Sequence, residues 1–270
     1  MQNIQSTSSV TNEKYWDEEG YRICKHGVRE IYYDCLDCAK EQYIERMEEI
    51  KKNPERFMPY IPLRFRGCSF DNFIGGDAAK EQCRAFVEKY TREVGRKNPW
   101  EGCYSRPDID GYPGSILLSG NTGCGKTHLA AAICRELVSQ GKSGDTFFIT
   151  VPELLLSIRS TFGVNKISRS KWISEERGGE IPETEDEIID AYSSIELLIL
   201  DDLGAEKSSD YTISTLYLII DRRYRNMLPT IITSNLTIAE IGDKLDARIA
   251  SRLSEMTVIK INMPDRRKQR

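Results

Sequence analysis

The sequence has no run of apolar residues near the ~20 that a membrane helix needs, and its polar opening, "MQNIQSTSSVTNEKYWDEEG", lacks the apolar core of a secretory signal. That reading excludes a membrane protein and makes the cytoplasm the expected compartment. Nor is there an excess of charge of one sign. The 38 lysines and arginines face 42 aspartates and glutamates, for a net charge of -4, which argues neither for nor against nucleic acid and leaves that question to local patches. No internal repeat is present, and histidine is scarce, with two in 270 residues. Hydrophobic residues make up 39% and charged ones 30%, the balance of one ordinary domain with a full core and a small appendage rather than of a disordered chain.

Cysteine is the residue present in unusual placement. Eight cysteines would suit a disulfide set in a small secreted chain, but in a reducing compartment clustered cysteines bind metal and scattered ones fill cores. Cys68, Cys83, Cys103 and Cys134 are scattered and read as small hydrophobes. In "CKHGVREIYYDCLDC", by contrast, Cys24-x-His26 and Cys35-x-x-Cys38 provide two ligand pairs separated by a loop, the pattern of a tetrahedral Cys₃His zinc site. The surrounding segment has few core aliphatics, so metal binding would supply its folding free energy. The C-x-H half departs from the usual C-x₂₋₄-C spacing, and free surface thiols are the alternative.

The strongest chemical signal is "SILLSGNTGCGKTHLAAAICREL". A short apolar run suits a buried strand, and the spacing of Leu129, Ala132, Ile133 and Leu137 suits a helix. Between them Gly120, Asn121, Thr122, Gly123, Cys124, Gly125, Lys126 and Thr127 match the phosphate-binding pattern G-x-x-x-x-G-K-[ST]. Glycines let the backbone curl until several N–H groups point at one anion, and the helix that follows adds the positive end of its dipole. Lys126 would reach the β- and γ-phosphates of a nucleotide, and the Thr127 hydroxyl would take a place on Mg²⁺.

A phosphate loop needs an acidic partner for the metal. In "IELLILDDLGAE" a buried strand is expected at 197–200, with Asp201 and Asp202 at its carboxyl end, where parallel sheets bind ligands. Asp201 would hold Mg²⁺, and Asp202 would orient or deprotonate the attacking water; the alternative is a helix cap. "LPTIITSNLT" reads as a further strand ending in Ser234 and Asn235, placing Asn235 where it can bond the water or the γ-phosphate, unless it is only a turn residue. In "DARIASRLSEM", Arg248 and Arg252 lie one helical turn apart. They are either a solvated pair or an arginine finger acting on a neighbouring subunit's nucleotide.

These elements in this order resemble the AAA+ ATPases, and within them the DnaC/DnaI-type replicative helicase loaders and their IstB relatives. "IPLRFRGCSFDNF" is similar to the family's segment leading into the ATPase domain, "GNTGCGKTHLAAAI", including His128, to its Walker A, "LLILDDLGAE" to its Walker B, "TIITSNLT" to its sensor 1 and "RIASRL" to its arginine-finger box. The resemblance assigns the finger to Arg252, directly after a serine, with Arg248 in support. After the last expected strand only "NMPDRRKQR" remains, without room for the helical lid of most AAA+ proteins, a truncation similar to the loader and IstB branch. Arg266 and Arg267 read as a solvated basic tail, the alternative being substitutes for the missing sensor arginine.

Between "TFFIT" and the Walker B strand, Arg159, Lys166, Arg169 and Lys171 with Trp172 form a basic patch with an aromatic, the combination that tracks and stacks single strands. A solvated charged loop is the alternative. The family carries DNA-contacting helices in this region. Strands expected at 115–119, 146–150, 197–200, 230–233 and 258–261 alternate with helical patterns at 126–140, 152–162, 184–192, 211–227 and 246–254, which implies an α/β fold with a five-stranded parallel sheet covered by helices on both faces. A proline-broken boundary separates an expected module at 1–55 from an ATPase domain at 56–270. The resemblance implies ATP, Mg²⁺ and Zn²⁺ as cofactors, a hexameric replicative helicase docked on the N-terminal module, single-stranded DNA, and self-association through the finger. A transposase regulator assembling on duplex DNA is the other reading.

Overall fold

A computed structural model describes residues 61–94, 112, 114–140, 146–159 and 184–268, together with 15–16, 22–23, 45, 48 and 52. The chain divides into two units, Met1–Lys52 and Asn53–Arg270. In the first, β1 (Tyr15–Trp16) pairs antiparallel with β2 (Arg22–Ile23), Tyr15 opposite Ile23. Cys24, His26, Cys35 and Cys38 lie outside the described residues, as does Cys103.

The second unit is built on β3 (Ile116–Gly120), β4 (Thr146–Thr150), β5 (Leu197–Leu203), β6 (Thr230–Ser234) and β7 (Thr257–Ile261). They form one sheet in the order β4-β5-β6-β3-β7, every pair parallel. The central strands read as continuous apolar runs because both of their faces are covered; β7, at the edge, alternates exposed and buried positions.

Seven described helices accompany the strands: α1 (Asp77–Val94), α2 (Lys126–Ser139), α3 (Val151–Arg159), α4 (Glu185–Ser194), α5 (Asp210–Arg225), α6 (Ile238–Lys244) and α7 (Ala247–Ser254). On one face Leu117, Leu198, Leu200 and Ile232 join a core with Leu154 of α3, Ile188 of α4, Leu216 and Ile219 of α5, and Ile249 and Leu253 of α7. Side chains alternate faces along a strand, so Ile116, Leu118, Ile199 and Ile231, equally buried, serve the other face, where α2 packs on the sheet and α1 on α2. Burial pushes the thiols of Cys83 and Cys134 up to about 12, as befits core residues.

The five expected strands all form. One expectation is corrected: Asp201 and Asp202 do not follow the strand but lie inside it, because β5 continues to Leu203. Pairing with β6 breaks after Leu200 and resumes at Leu203 opposite Ser234. Across the break the Thr233 hydroxyl accepts the Asp202 N–H at 2.9 Å, which bridges the irregularity from β6. The helices α1 and α6 are additions to the expected pattern.

Candidate functional site

Every one of α4, α5, α6 and α7 begins with a side-chain cap, from Thr184, Ser209, Thr237 and Asp246 respectively. α2 does not. Its N-cap is Gly125, at φ 104°, with no side-chain hydrogen bond and no acidic residue in the first turn, so its leading N–H groups remain available to an anion. Gly123 is also left-handed, at φ 77°. A Cβ on Gly125 would come within 2.6 Å of the Phe73 ring, and one on Gly123 would enter the Asp265 carboxylate. Backbone conformation and close approach both demand glycine here.

Because β6 lies between β3 and β5, Asn235 stands between the phosphate loop and the aspartates. The Lys126 ammonium, 4% exposed, donates to Asn235 Oδ1 at 2.7 Å, Gly120 O at 2.8 Å and Asn121 O at 2.9 Å. The Thr127 hydroxyl donates to the Asp201 carboxylate at 3.1 and 3.2 Å, and Thr233 donates to Asp201 Oδ1 at 2.6 Å. Burial raises the Asp201 carboxyl most, with Asp202 adding to the rise; hydrogen bonds from Thr233 and Thr127 and the Lys126 charge oppose it, and the net effect is a pKa of about 6. A desolvated carboxylate beside a hydroxyl is a hard oxygen donor set that fits Mg²⁺. Asp202 sits at φ 62°, a left-handed conformation rare outside glycine and costly enough to cluster at functional sites.

A cleft of about 780 Å³ opens over these groups. Thr122, Gly123, Gly125, Lys126, Thr127, His128, Asp202 and Asn235 line it, whereas Cys124 and Asp201 are buried behind the loop. His128 Nε2 lies 3.0 Å from Ser69 O and its ring meets Phe73 edge-on at 5.2 Å; burial holds its pKa below the ordinary imidazole value.

The sequence did not mark the opposite wall, formed by Arg64, Phe65, Asn72 and Ile74 from the leading segment and Met263, Pro264, Arg266 and Arg267 from the stretch after β7. Arg266 is not a solvated tail residue, which corrects that expectation. Its N–H donates to Gly123 O at 3.2 Å, and its guanidinium lies 4.4 Å over Phe73 and bonds Ile74 O. No spacing rule reveals a contact between residues 192 positions apart.

Arg248 and Arg252 do not line the cleft of their own chain. Both lie against α5: Arg248 over the Tyr217 ring at 4.4 Å, Arg252 over Tyr224 at 4.7 Å and bonded to Asp221 at 3.0 Å. Of the basic patch, Arg159 donates to Thr212 at 3.1 Å and lies over Tyr211; Lys166, Arg169, Lys171 and Trp172 lie outside the described residues. Among the described residues no cluster of three or more His, Cys, Asp or Glu could hold a metal, and no helix is long and apolar enough to cross a membrane.

Residues 113–260, more than half of the chain, match the model of the IstB-like ATP binding proteins. The chain is 29% identical over 192 residues to the replicative helicase loader DnaC of Escherichia coli, a match that covers 70% of this chain and 63% of that protein. It therefore spans less than two thirds of that relative's length. Among solved structures, it is similar in fold to DnaI (24% identity, TM-score 0.53, 77% of this chain and 94% of the other) and to a DnaC helicase loader (22% identity, TM-score 0.51, 74% and 100%).

Proposed function

The chain belongs to the IstB-like ATP-binding family, and from that membership we propose that it is an ATP-dependent loader, which binds a hexameric replicative DNA helicase and helps place it on single-stranded DNA. The observation that carries this reading is the convergence of Lys126, Thr127, Asp201, Asp202 and Asn235 on one end of a parallel sheet, in a chain whose relative is named a replicative helicase loader.

In this reading Lys126 exchanges the Gly120 and Asn121 carbonyls for the β- and γ-phosphates, and the uncapped first turn of α2 takes the remaining charge. Thr127 and Asp201 hold Mg²⁺, which neutralises phosphate charge. Asp202 orients the attacking water, and Asn235, already bonded to Lys126, shares it. Arg252 of a second copy faces the terminal phosphate, with Arg248 in support. The region 1–55, with zinc on Cys24, His26, Cys35 and Cys38, docks the helicase, and 56–270 is the ATPase domain. Arg159 is held by Thr212 and Tyr211, so single-strand contact falls to Lys166, Arg169 and Lys171 with Trp172. ATP binding favours assembly and grip, and hydrolysis releases the loader in the cytoplasm.

The test mixes the full chain with hexameric replicative helicases and a non-hydrolysable ATP analogue. A co-migrating complex is expected, and it is lost when Cys35→Ser/Cys38→Ser removes two zinc ligands. Lys126→Ala is expected to abolish ATP turnover. Failure to bind any such helicase would overturn the loader reading, and turnover surviving Lys126→Ala would overturn the site. The resemblance to IstB, with the match to the IstB-like model, supports a second reading, a transposase-regulating ATPase on duplex DNA; turnover stimulated by duplex but not by single strands would select it.

A further inference from the structure

Arg248 and Arg252 stand one turn apart on α7, yet their guanidinium groups are held in different ways. Arg248 gives one edge of its guanidinium to its own N-cap, with Nε and Nη2 each 3.0 Å from the Asp246 carboxylate. Arg252 donates only Nε, to Asp221 Oδ1 at 3.0 Å, and among the described residues its Nη1 and Nη2 form no hydrogen bond. Asp221 shares its carboxylate between two arginines, its second oxygen lying 2.9 Å from Arg225 Nε.

Asp221 is 8% exposed, so the anchor is fixed in the body of the domain. The Tyr224 ring, 4.7 Å from the Arg252 guanidinium, supports its flat face, and the Tyr224 hydroxyl is tied to the Glu255 carboxylate at 2.9 and 3.0 Å. The Arg252 side chain remains 29% exposed. The result is an arginine pinned at one nitrogen and one face, with four of its five donors left for an anion.

We propose that Asp221 is a positioning residue for Arg252, directing its terminal nitrogens onto the terminal phosphate of a nucleotide bound by a second copy of this chain. The proposal rests on the reading of Arg252 as a finger acting in trans. A long flexible side chain loses rotamer freedom when it grips a transition state; one already held by Asp221 and Tyr224 loses less, which favours turnover rather than ground-state binding. Arg248, bound at two nitrogens by its own cap, does not have this arrangement.

The test measures ATP turnover by the full-length protein. Asp221→Asn is expected to lower kcat about tenfold with KM within about twofold and little change in the thermal midpoint. Tyr224→Leu, which removes the supporting ring, should give the same split with a smaller loss. Mixing Asp221→Asn with Asp202→Asn discriminates the mechanism. The Asp202→Asn copy is impaired in its own hydrolysis but offers an intact finger to the active site of the Asp221→Asn copy, so turnover of the mixture should exceed the average of the two. Absence of that rescue would overturn the proposal, as would unchanged kcat in Asp221→Asn while Arg252→Ala loses activity. Unchanged kcat in Arg252→Ala would instead overturn the finger reading itself. Loss of single-strand affinity in Arg252→Ala with turnover intact would assign the anion to nucleic acid and also overturn the proposal.

Discussion

The two ends of the central sheet both hold buried charge, but they treat it in opposite ways. At the amino end Arg223, 1% exposed, donates to Thr230 Oγ1 and to the carbonyls of Tyr192, Ser193, Ile195, Glu196 and Pro229. Several of these oxygens close the last turn of α4 or lead into β5 and β6. Burial brings the Arg223 pKa down to about 9, so the group stays charged at neutral pH with every edge of its fork occupied. At the carboxyl end Asp201 carries a raised pKa, Asp202 a left-handed backbone, and α2 no cap. Charge at one end is satisfied from within and serves the fold; at the other it is left partly unmet and is arranged for a ligand. The same contrast predicts opposite signs for removing it.

The largest effect belongs to the amino end. Arg223→Ala is expected to destabilise the chain by about 3–5 kcal/mol, since it removes the donor that ties Thr230 Oγ1 and the Ser193 and Ile195 carbonyls together and opens a cavity. Denaturant midpoints measure it. Arg223→Lys should recover only part of the loss, because three donors on a point charge cannot span acceptors as widely spaced as those on Thr230, Ile195 and Pro229. A neutral Arg223→Ala would break the comparison by making this charge as dispensable to the fold as those at the other end.

A smaller effect of opposite sign is expected from Asp201→Asn. The folded-state pKa of about 6 lies above the ordinary 3.8, so the folded protein holds this proton more tightly than the unfolded chain. The nucleotide-free protein should therefore lose stability as pH rises from about 4 to about 6 and remain at the lower level above that, a difference of about 3 kcal/mol. Asparagine carries no charge to desolvate, keeps an acceptor for Thr233 and offers an N–H₂ toward Thr127. It should unfold later than the parent at pH 7, match it near pH 4, and lose the stabilisation that Mg²⁺ and ATP confer. Thermal melts across that pH range, with and without Mg²⁺ and ATP, test both halves. A parent protein whose stability is flat between pH 4 and 6 would contradict the assignment.

The sequence exposed the parts of this arrangement that are local. The strand-loop-helix around Lys126 carries its own period change and glycine spacing, and the apolar runs of a doubly covered sheet are continuous enough to see. Two further helices leave weaker traces in the sequence. Ala79, Cys83, Phe86, Val87 and Tyr90 of α1 recur at helical spacing and are buried, and α6 opens with a Thr237–Glu240 capping box while burying only Ile241, so its signal lies in its cap rather than its periodicity. The contacts that complete the site were not legible. Arg266 meets Phe73 and Gly123 through the tertiary fold alone, and Thr233, the bridge between Asp201 and the Asp202 backbone, looks in sequence like any β-branched strand residue.

The smallest stability change sharpens the comparison most. Asp202 brings a second carboxylate beside Asp201 and raises its pKa, and it does so from a left-handed backbone that asparagine adopts as readily as aspartate. Asp202→Asn thus removes repulsion without changing the strain, the Thr233 hydrogen bond to its N–H or the pairing that resumes at Leu203. It should raise the stability of the nucleotide-free protein at pH 7 by less than about 1 kcal/mol and lower the apparent pKa of Asp201, while nucleotide binding persists and turnover falls at least about tenfold. A denaturation curve and a binding isotherm on one variant separate these outcomes. If turnover held while stability rose, Asp202 would be a strained residue without a chemical task, and the carboxyl end would resemble the amino end after all.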